Sequence, residues 1–329
     1  MNEVLQVIVD GLWRQGSQSL AVRLVAPEGQ TLPAWQPGAH IDVHLPCGII
    51  RQYSLTGPDS VADGYLICVA LDSASRGGSR YIHQQLRPGQ TLLISPPRNL
   101  FPLQAAERVT LLAAGIGITP LYAMALRLEA EGVPFTLHYY LKSRARGAFI
   151  RELQQRFSAE SVVIHCSSEG RSARQNLDAA LNSAHAGQPI YLCGPAGFMA
   201  AAHRAALAQG WAEARIHSEA FQPVATPAAC AEENTFNVIL ASSGERWPVP
   251  AHKTIAQVLQ ENGIAVPLSC EMGICGACLT PVIEGIVDHR DTVQSEAEKS
   301  ASAQQIALCC SRSRSANLCI DLLSGGVGQ

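Results

Sequence analysis

Three cysteines within nine residues constrain this chain more than any other feature. Cys270, Cys275 and Cys278 form a C-x4-C-x2-C run, and a further candidate, Cys309, lies about thirty residues on. This is the plant-type [2Fe–2S] spacing. A two-iron core needs four thiolates; one short loop can supply three and a distant segment must supply the fourth. Gly273 and Gly276 lie inside the loop, where they let the backbone bend and turn N–H groups toward the sulfurs. Zinc sites usually take their thiolates as two C-x2-C pairs, and only one such pair is present. The spacing therefore predicts a protein that moves electrons.

Length and composition set the frame. The chain has 329 residues, enough for two or three domains, and a formal charge of −3, which implies no nucleic-acid partner. No apolar run reaches the length of a membrane span, and Met1-Asn2-Glu3-Val4 does not open a signal peptide, so no membrane is expected. The eleven cysteines are odd in number and four are claimed by a cluster, which fits a reducing cytoplasm. Cys47, Cys68, Cys166, Cys230 and Cys319 read as ordinary thiols.

The periodicity changes along the chain. Residues 20–24 and 41–45 alternate apolar with polar, and 65–71 and 91–95 are further short strands, with Pro and Gly between them. Such a run predicts a small antiparallel barrel. From residue 109 the pattern is α/β: an apolar strand at 109–113, a helix at 120–131, strands at 136–141, 161–165 and 189–193, and a helix at 197–209. Residues 222–234 read as a linker. Beyond it come a strand at 236–240 and a helix capped by Thr254 and ended by Gly263.

Two turns could face a ligand. Gly115-Ile116-Gly117-Ile118-Thr119-Pro120 joins a buried strand to a helix, with Thr119 expected as N-cap and Pro120 as first helical residue. Cys193-Gly194-Pro195 joins another strand to another helix. Either could be a purely structural turn; together, at strand C-termini of one sheet, they outline a nucleotide crevice. In the barrel region, Arg51-Gln52-Tyr53-Ser54-Leu55 places Arg51, Tyr53 and Leu55 on one strand face, and Gly77-Gly78-Ser79-Arg80 is a bare turn or a phosphate cradle.

Taken in order, these segments resemble the phthalate dioxygenase reductase family, which includes vanillate O-demethylase reductases. That family carries R-x-Y-S-L, R-G-G-S, G-x-G-I-T-P and C-G-P motifs and a C-terminal plant-type ferredoxin domain. Here they stand at Arg51–Leu55, Arg76–Ser79, Gly115–Pro120, Cys193–Pro195 and Cys270–Cys278. Ala114 departs from the glycine frequent there. The resemblance implies an antiparallel β-barrel flavin domain at 1–103, an α/β parallel-sheet nucleotide domain at 104–224, a linker at 225–233 and an α+β β-grasp ferredoxin domain at 234–329. It implies FMN held by Arg51, Gln52, Tyr53, Ser54, Leu55, Gly77, Gly78 and Ser79, with Phe221 covering the flavin. Pro97-Arg98-Asn99-Leu100-Phe101 also resembles the FMN branch. It implies a nicotinamide dinucleotide on Gly115, Gly117, Thr119, Pro120, Cys193, Gly194 and Pro195. Ser54, Thr119 and Cys193 are the implied catalytic set. Leu308-Cys309-Cys310-Ser311-Arg312 resembles the family's C-x-S-R segment, which selects Cys309 as fourth ligand with Cys270, Cys275 and Cys278.

The function implied is a reductase component, expected as a monomer, that passes electrons from NADH through FMN and [2Fe–2S] to a separate terminal oxygenase, usually of Rieske type. A small electron carrier without nicotinamide turnover is the alternative. The segment after strand 136–141, with Ser143 and Arg144, offers no acid for a ribose, and Arg144 could instead meet the 2′-phosphate of NADPH. Around the cluster, Glu271, Arg312 and Arg314 are the nearest charges in sequence, with Asp288-His289-Arg290-Asp291 nearby; they either form a docking rim for the oxygenase or solvate the domain, with Arg290 in an internal ion pair.

Overall fold

The computed structural model describes residues 4–58, 64–72, 77–182, 187–221, 235–294 and 296–322. The expected linker at 225–233 and Arg76 lie outside them. The chain divides into two compact units, Met1–Phe221 and Gln222–Gln329.

The first unit begins with strands β1 (Leu5–Gln15), β2 (Ser19–Val25), β3 (Ala39–His44), β4 (Ile50–Thr56) and β5 (Gly64–Ala70), helix α1 (Gly78–Gln84), and strands β6 (Thr91–Ile94) and β7 (Arg98–Asn99). They form one antiparallel sheet in the order β4-β5-β2-β1-β6-β3-β7, and a further β3–β4 pairing closes it into a barrel. Alternation explains the core: Val7, Val9, Val22, Leu24, Ile41, Val43, Leu55 and Ile67 are all buried inside. It fails at Asp42, which should face water yet is buried. Arg98 reaches its carboxylate at 2.8 and 2.9 Å and the Gln52 amide donates to it at 3.0 Å. Those donors are what make the burial tolerable.

The same unit continues with β8 (Val109–Ala114), α2 (Ile118–Ala130), β9 (Phe135–Leu141), α3 (Ile150–Arg156), β10 (Val162–Cys166), α4 (Ala173–Asn182), β11 (Ile190–Cys193), α5 (Ala196–Ala208) and β12 (Ile216–Glu219). The parallel sheet runs β10-β9-β8-β11-β12, so the order reverses between β8 and β11. All six residues of β8 are buried, as the unbroken apolar run predicts. Helix α2 is buried along most of its length because it is sandwiched: Ile118, Leu121 and Met124 pack on the parallel sheet while Ala123 joins the barrel core. One correction concerns its start. Gly115–Gly117 wind as a 3₁₀ turn and Gly117 occupies the cap, so Thr119 lies within the helix and its hydroxyl donates back to Ile116 O at 3.1 Å. Thr119 is not the N-cap, because the tight turn starts the helix early.

The second unit contains β13 (Phe236–Leu240), β14 (Arg246–Val249), α6 (Ile255–Glu261), β15 (Leu279–Glu284), β16 (Val287–Asp288), α7 (Glu296–Lys299), β17 (Gln305–Ala307), β18 (Arg312–Ser313) and β19 (Asn317–Ile320). Its sheet runs β14-β13-β19-β15-β17, with β13 and β19 parallel, and β16 pairs with β18. Helix α6 starts as expected: Thr254 Oγ1 accepts from Gln257 N at 3.1 Å and Gln257 Oε1 accepts from Thr254 N at 2.9 Å, a capping box. Among the described residues no helix is long and apolar enough to cross a membrane.

A buried histidine pair marks the parallel sheet. His138 Nδ1 and His165 Nε2 meet at 3.1 Å, and Tyr140 stacks on His165 with centroids 4.4 Å apart. The remaining ring nitrogens are buried without a partner. Burial holds both rings down at about 4, from 6.5; for His138 the facing His165 adds to it, and for His165 the nearby Arg171. The unfolded chain thus binds protons near pH 6.5 that the fold refuses until about pH 4. Stability should be full above pH 6.5, fall as pH drops toward 4, and level off below, at a cost of up to about 3 kcal/mol for His138. Thermal midpoints across that range should show the slope, and the double variant His138→Leu, His165→Phe should flatten it. An unchanged slope would acquit the pair.

Candidate electron-transfer site

The two glycine turns meet at the point where the strand order reverses. A Cβ on Gly117 would lie 2.2 Å from Cys193 O, and one on Gly194 would lie 2.8 Å from Ala114 Cβ. Backbone therefore packs directly on backbone. Gly115 differs: it holds φ +57° and has open space where a Cβ would stand, so it leaves room above the turn. Tyr139 Oη donates to Gly115 O at 3.0 Å from below and accepts from Ala148 N at 3.1 Å. Pro120 falls in the first turn of α2, where a missing N–H costs nothing, and Pro195 caps α5.

Beside these turns the barrel meets the sheet edge. β12 pairs with β11 so that Glu219 lies next to Cys193. Ser54 Oγ, from β4, donates to Glu219 Oε2 at 3.5 Å. Desolvation pushes the Glu219 carboxyl up to about 8, with Ser54 pulling back slightly. The Cys193 thiol, fully buried, is pushed well above its ordinary value by burial and then by Glu219. Sequence reasoning missed Glu219. Its only signal was its position at a strand end, two residues before Phe221, which packs against the core of the parallel sheet.

The barrel motif splits into different tasks. Arg51 Nη1 donates to Ile50 O at 2.7 Å, and its stem passes so close to Gly78 that a Cβ there would lie 2.7 Å from Cγ. Gly77, at φ +106°, turns the chain into α1, and Ser79 Oγ accepts from Asp72 N at 3.3 Å. Tyr53 is half-buried, and burial raises its phenol more than Arg51 lowers it. The Gln52 side chain is instead engaged by Asp42, and that of Leu55 fills the barrel core.

At the far side of the crevice Ser143 opens a short turn and Arg144 follows. Arg144 Nε pairs with Glu169 at 2.8 Å, and Arg171 reaches the same carboxylate at 2.9 Å. An acid does stand nearby, past the end of β10, too distant in sequence from β9 for local reading to find. The hydrogen bonds from both arginines hold the Glu169 carboxyl below its ordinary value.

In the second unit Cys270, Cys275, Cys278 and Cys309 are all buried. Their thiols interact in a continuous chain, Cys275 with Cys270, Cys270 with Cys309 and Cys309 with Cys278. Among the described residues no three donors close around a single ion. Met272 N donates to Cys270 Sγ at 3.3 Å and Ala277 N to Cys275 Sγ at 3.4 Å, as the glycine-rich loop predicts. The thiols of Cys270 and Cys278 are drawn down and those of Cys275 and Cys309 driven up, because close thiols share protons instead of all ionising. A cationic core removes that conflict, so the donor set fits a [2Fe–2S] cluster.

Arg312 does not belong to a docking rim. It is buried, donates to the carbonyls of Lys253 at 2.9 Å and Pro250 at 3.3 Å, and lies 5.1 Å over the Phe236 ring. It supports the fold. Arg314 is exposed and pairs with Asp288 at 3.3 Å, which also binds Arg290 at 2.9 Å.

Comparison with known proteins agrees with this geometry. Residues 238–314 match the family described as 2Fe-2S iron-sulfur cluster binding domain. The chain is 43% identical over 320 residues to vanillate O-demethylase oxidoreductase of Pseudomonas sp. (strain HR199 / DSM 7063), covering 97% of this chain and 100% of that protein. The solved phthalate dioxygenase reductase, described as a modular structure for electron transfer from pyridine nucleotides to [2Fe-2S], is 33% identical with a TM-score of 0.72, covering 97% of this chain and 98% of that one. The chain belongs to this family of oxygenase reductases. The reductase is an NAD(P)H-dependent flavin iron–sulfur oxidoreductase with a [2Fe–2S] cluster. It also superposes on a type IV self-sufficient cytochrome P450 monooxygenase with a TM-score of 0.86 at 36% identity; 97% of this chain is covered but only 41% of that longer protein.

The cluster assignment separates neighbouring thiols. Cys309→Ser should abolish or strongly perturb the visible absorbance of the cluster, whereas Cys310→Ser should leave it intact. The reverse outcome would shift the fourth ligand by one residue.

Proposed function

We propose that the reductase takes electrons from NADH at the crevice formed by Gly115–Pro120 and Cys193–Pro195 and delivers them, one at a time, to a terminal oxygenase, of Rieske type. Three modules carry this out: a barrel at 1–103, a nucleotide domain at 104–224 and, after a linker at 225–233, a ferredoxin domain at 234–329. The observation that carries the reading is the convergence of Ser54, Cys193 and Glu219, where a barrel strand and the nucleotide turns share one small volume. When bound, FMN supplies the exchange between a two-electron hydride donor and a one-electron acceptor. Arg51 with the Gly78 and Ser79 amides would hold its phosphate, Tyr53 and Ser54 would orient its ring, and Phe221 would cover it. The protein works as a monomer in the cytoplasm, a reducing compartment that suits ten described cysteines none of which forms a disulfide.

Anaerobic mixing with NADH should bleach both flavin and cluster absorbance. A protein that binds nicotinamide but is not reduced by it would be the bare electron carrier instead.

Glu219 gives the site a pH signature. With its carboxyl near 8 it keeps a proton at neutral pH, at the edge of the crevice beside Ser54 Oγ. Flavin reduction should therefore decline as pH rises through about 8. Glu219→Gln should remove that limb while lowering the rate roughly 10²-fold, with flavin still bound. A retained limb would assign it to another group.

Glu169 favours NADH, because it ties up both arginines that a 2′-phosphate would need. The wild-type protein should show the higher kcat/KM with NADH, and Glu169→Gln should narrow the gap. A value at least about tenfold higher with NADPH would overturn the preference.

A further inference from the structure

The second unit holds a buried carboxylate that no cluster motif contains. The Asp291 side chain has no exposed area. Its Oδ1 accepts from Ser311 Oγ at 3.3 Å, and its Oδ2 accepts from Gln294 N at 3.1 Å. Gln294 Nε2 lies 3.3 Å from both oxygens, and His289 Nδ1 lies 3.5 Å from Oδ1. The hydrogen bonds it receives therefore come from neutral groups.

Two ligand-bearing segments converge on this residue. On one side, Thr292 N and Val293 N donate to Gly273 O at 2.9 and 3.2 Å, which fastens the middle of the cysteine loop to the backbone just past Asp291. The fit is close: a Cβ on Gly273 would lie 3.0 Å from Asp291 Cα and 2.5 Å from Cys310 Sγ. On the other side, Ser311 is fully buried two residues past Cys309; its hydroxyl joins Asp291 to Arg290 N, from which it accepts at 3.0 Å. Four thiolates from two separated segments can grip one core only if those segments keep a fixed spacing. Asp291 is where that spacing is set. A carboxylate packed against the cysteine loop at Gly273 also opposes, when ionised, the arrival of an electron on the cluster.

We propose that Asp291 is a positioning residue that clamps the Cys270–Cys278 loop to the Cys309 segment and holds the cluster at a lower reduction potential than a neutral group would. The proposal rests on the [2Fe–2S] reading of the four cysteines. Visible absorbance and EPR of the reduced wild-type holoprotein test that reading separately: if they show no [2Fe–2S] cluster, the reading itself is wrong.

With the cluster present, Asp291→Asn keeps size and shape but removes the charge. In spectroelectrochemical titration of the cluster, its oxidised-to-reduced ratio at a fixed potential should fall roughly threefold or more, a positive shift. Ser311→Ala keeps the charge but removes one arm of the clamp. Iron should then pass to a strong chelator on the order of tenfold faster, with altered visible circular dichroism of the cluster. A purely structural role would lower thermal stability in both variants without moving the potential. An unshifted or negatively shifted potential in Asp291→Asn overturns the proposal. Should that variant fail to fold, Ser311→Ala decides: unchanged chelation and an unchanged cluster spectrum overturn it equally.

Discussion

Backbone contact between two turns is the constraint on which the first unit depends. Gly117 and the Cys193–Gly194 peptide touch with no side chain between them, and any Cβ at Gly117 would collide with a carbonyl that cannot move without dragging β11. This contact draws the ends of β8 and β11 together where the strand order reverses. Register then carries the effect outward. β12 pairs with β11, so Glu219 lands beside Cys193 and within reach of Ser54 on the barrel. Helix α2, starting from the same turn, is buried between both β systems and keeps the barrel strand in place. The crevice is thus a product of close packing rather than of flexible loops.

The second unit meets a different physical demand, concentrating potential negative charge in a small volume. Four thiols cannot all ionise side by side in an apolar setting, and their opposed shifts record that conflict. The loop answers with backbone N–H groups aimed at sulfur and with left-handed backbone at Glu271, Gly273 and Gly276. Buried supports lie behind it: Arg312 ties the segment after Cys309 to the carbonyls ahead of α6, and Asp291 ties it to the loop.

Where sequence reasoning failed, the failures share a cause. Alternation assigns Asp42 to solvent, but Arg98, more than fifty residues away, makes its burial tolerable. Thr119 looks like an N-cap because its residue type suits one, yet the 3₁₀ turn before it moves the helix start. Arg312 looks like a surface charge because it is an arginine near a cysteine, whereas the carbonyls it caps come from residues 250–253. Glu169 and Glu219 escaped notice because a lone glutamate at a strand end carries no local signal.

Local spacing marked three cysteines of the cluster loop, Cys270, Cys275 and Cys278, and the two glycine turns, because a thiolate loop and a strand–turn–helix corner are built from neighbouring residues; Cys309, on a distant segment, needed the family resemblance. Periodicity determined the change from barrel to parallel sheet, because side-chain alternation is a property of each strand taken singly. Only the tertiary structure decided which charges are buried, which arginine faces which acid, and which carboxylate stands beside Ser54. Those outcomes depend on partners tens to hundreds of residues apart, whose meeting is set by strand order and register and not by any pattern within a segment.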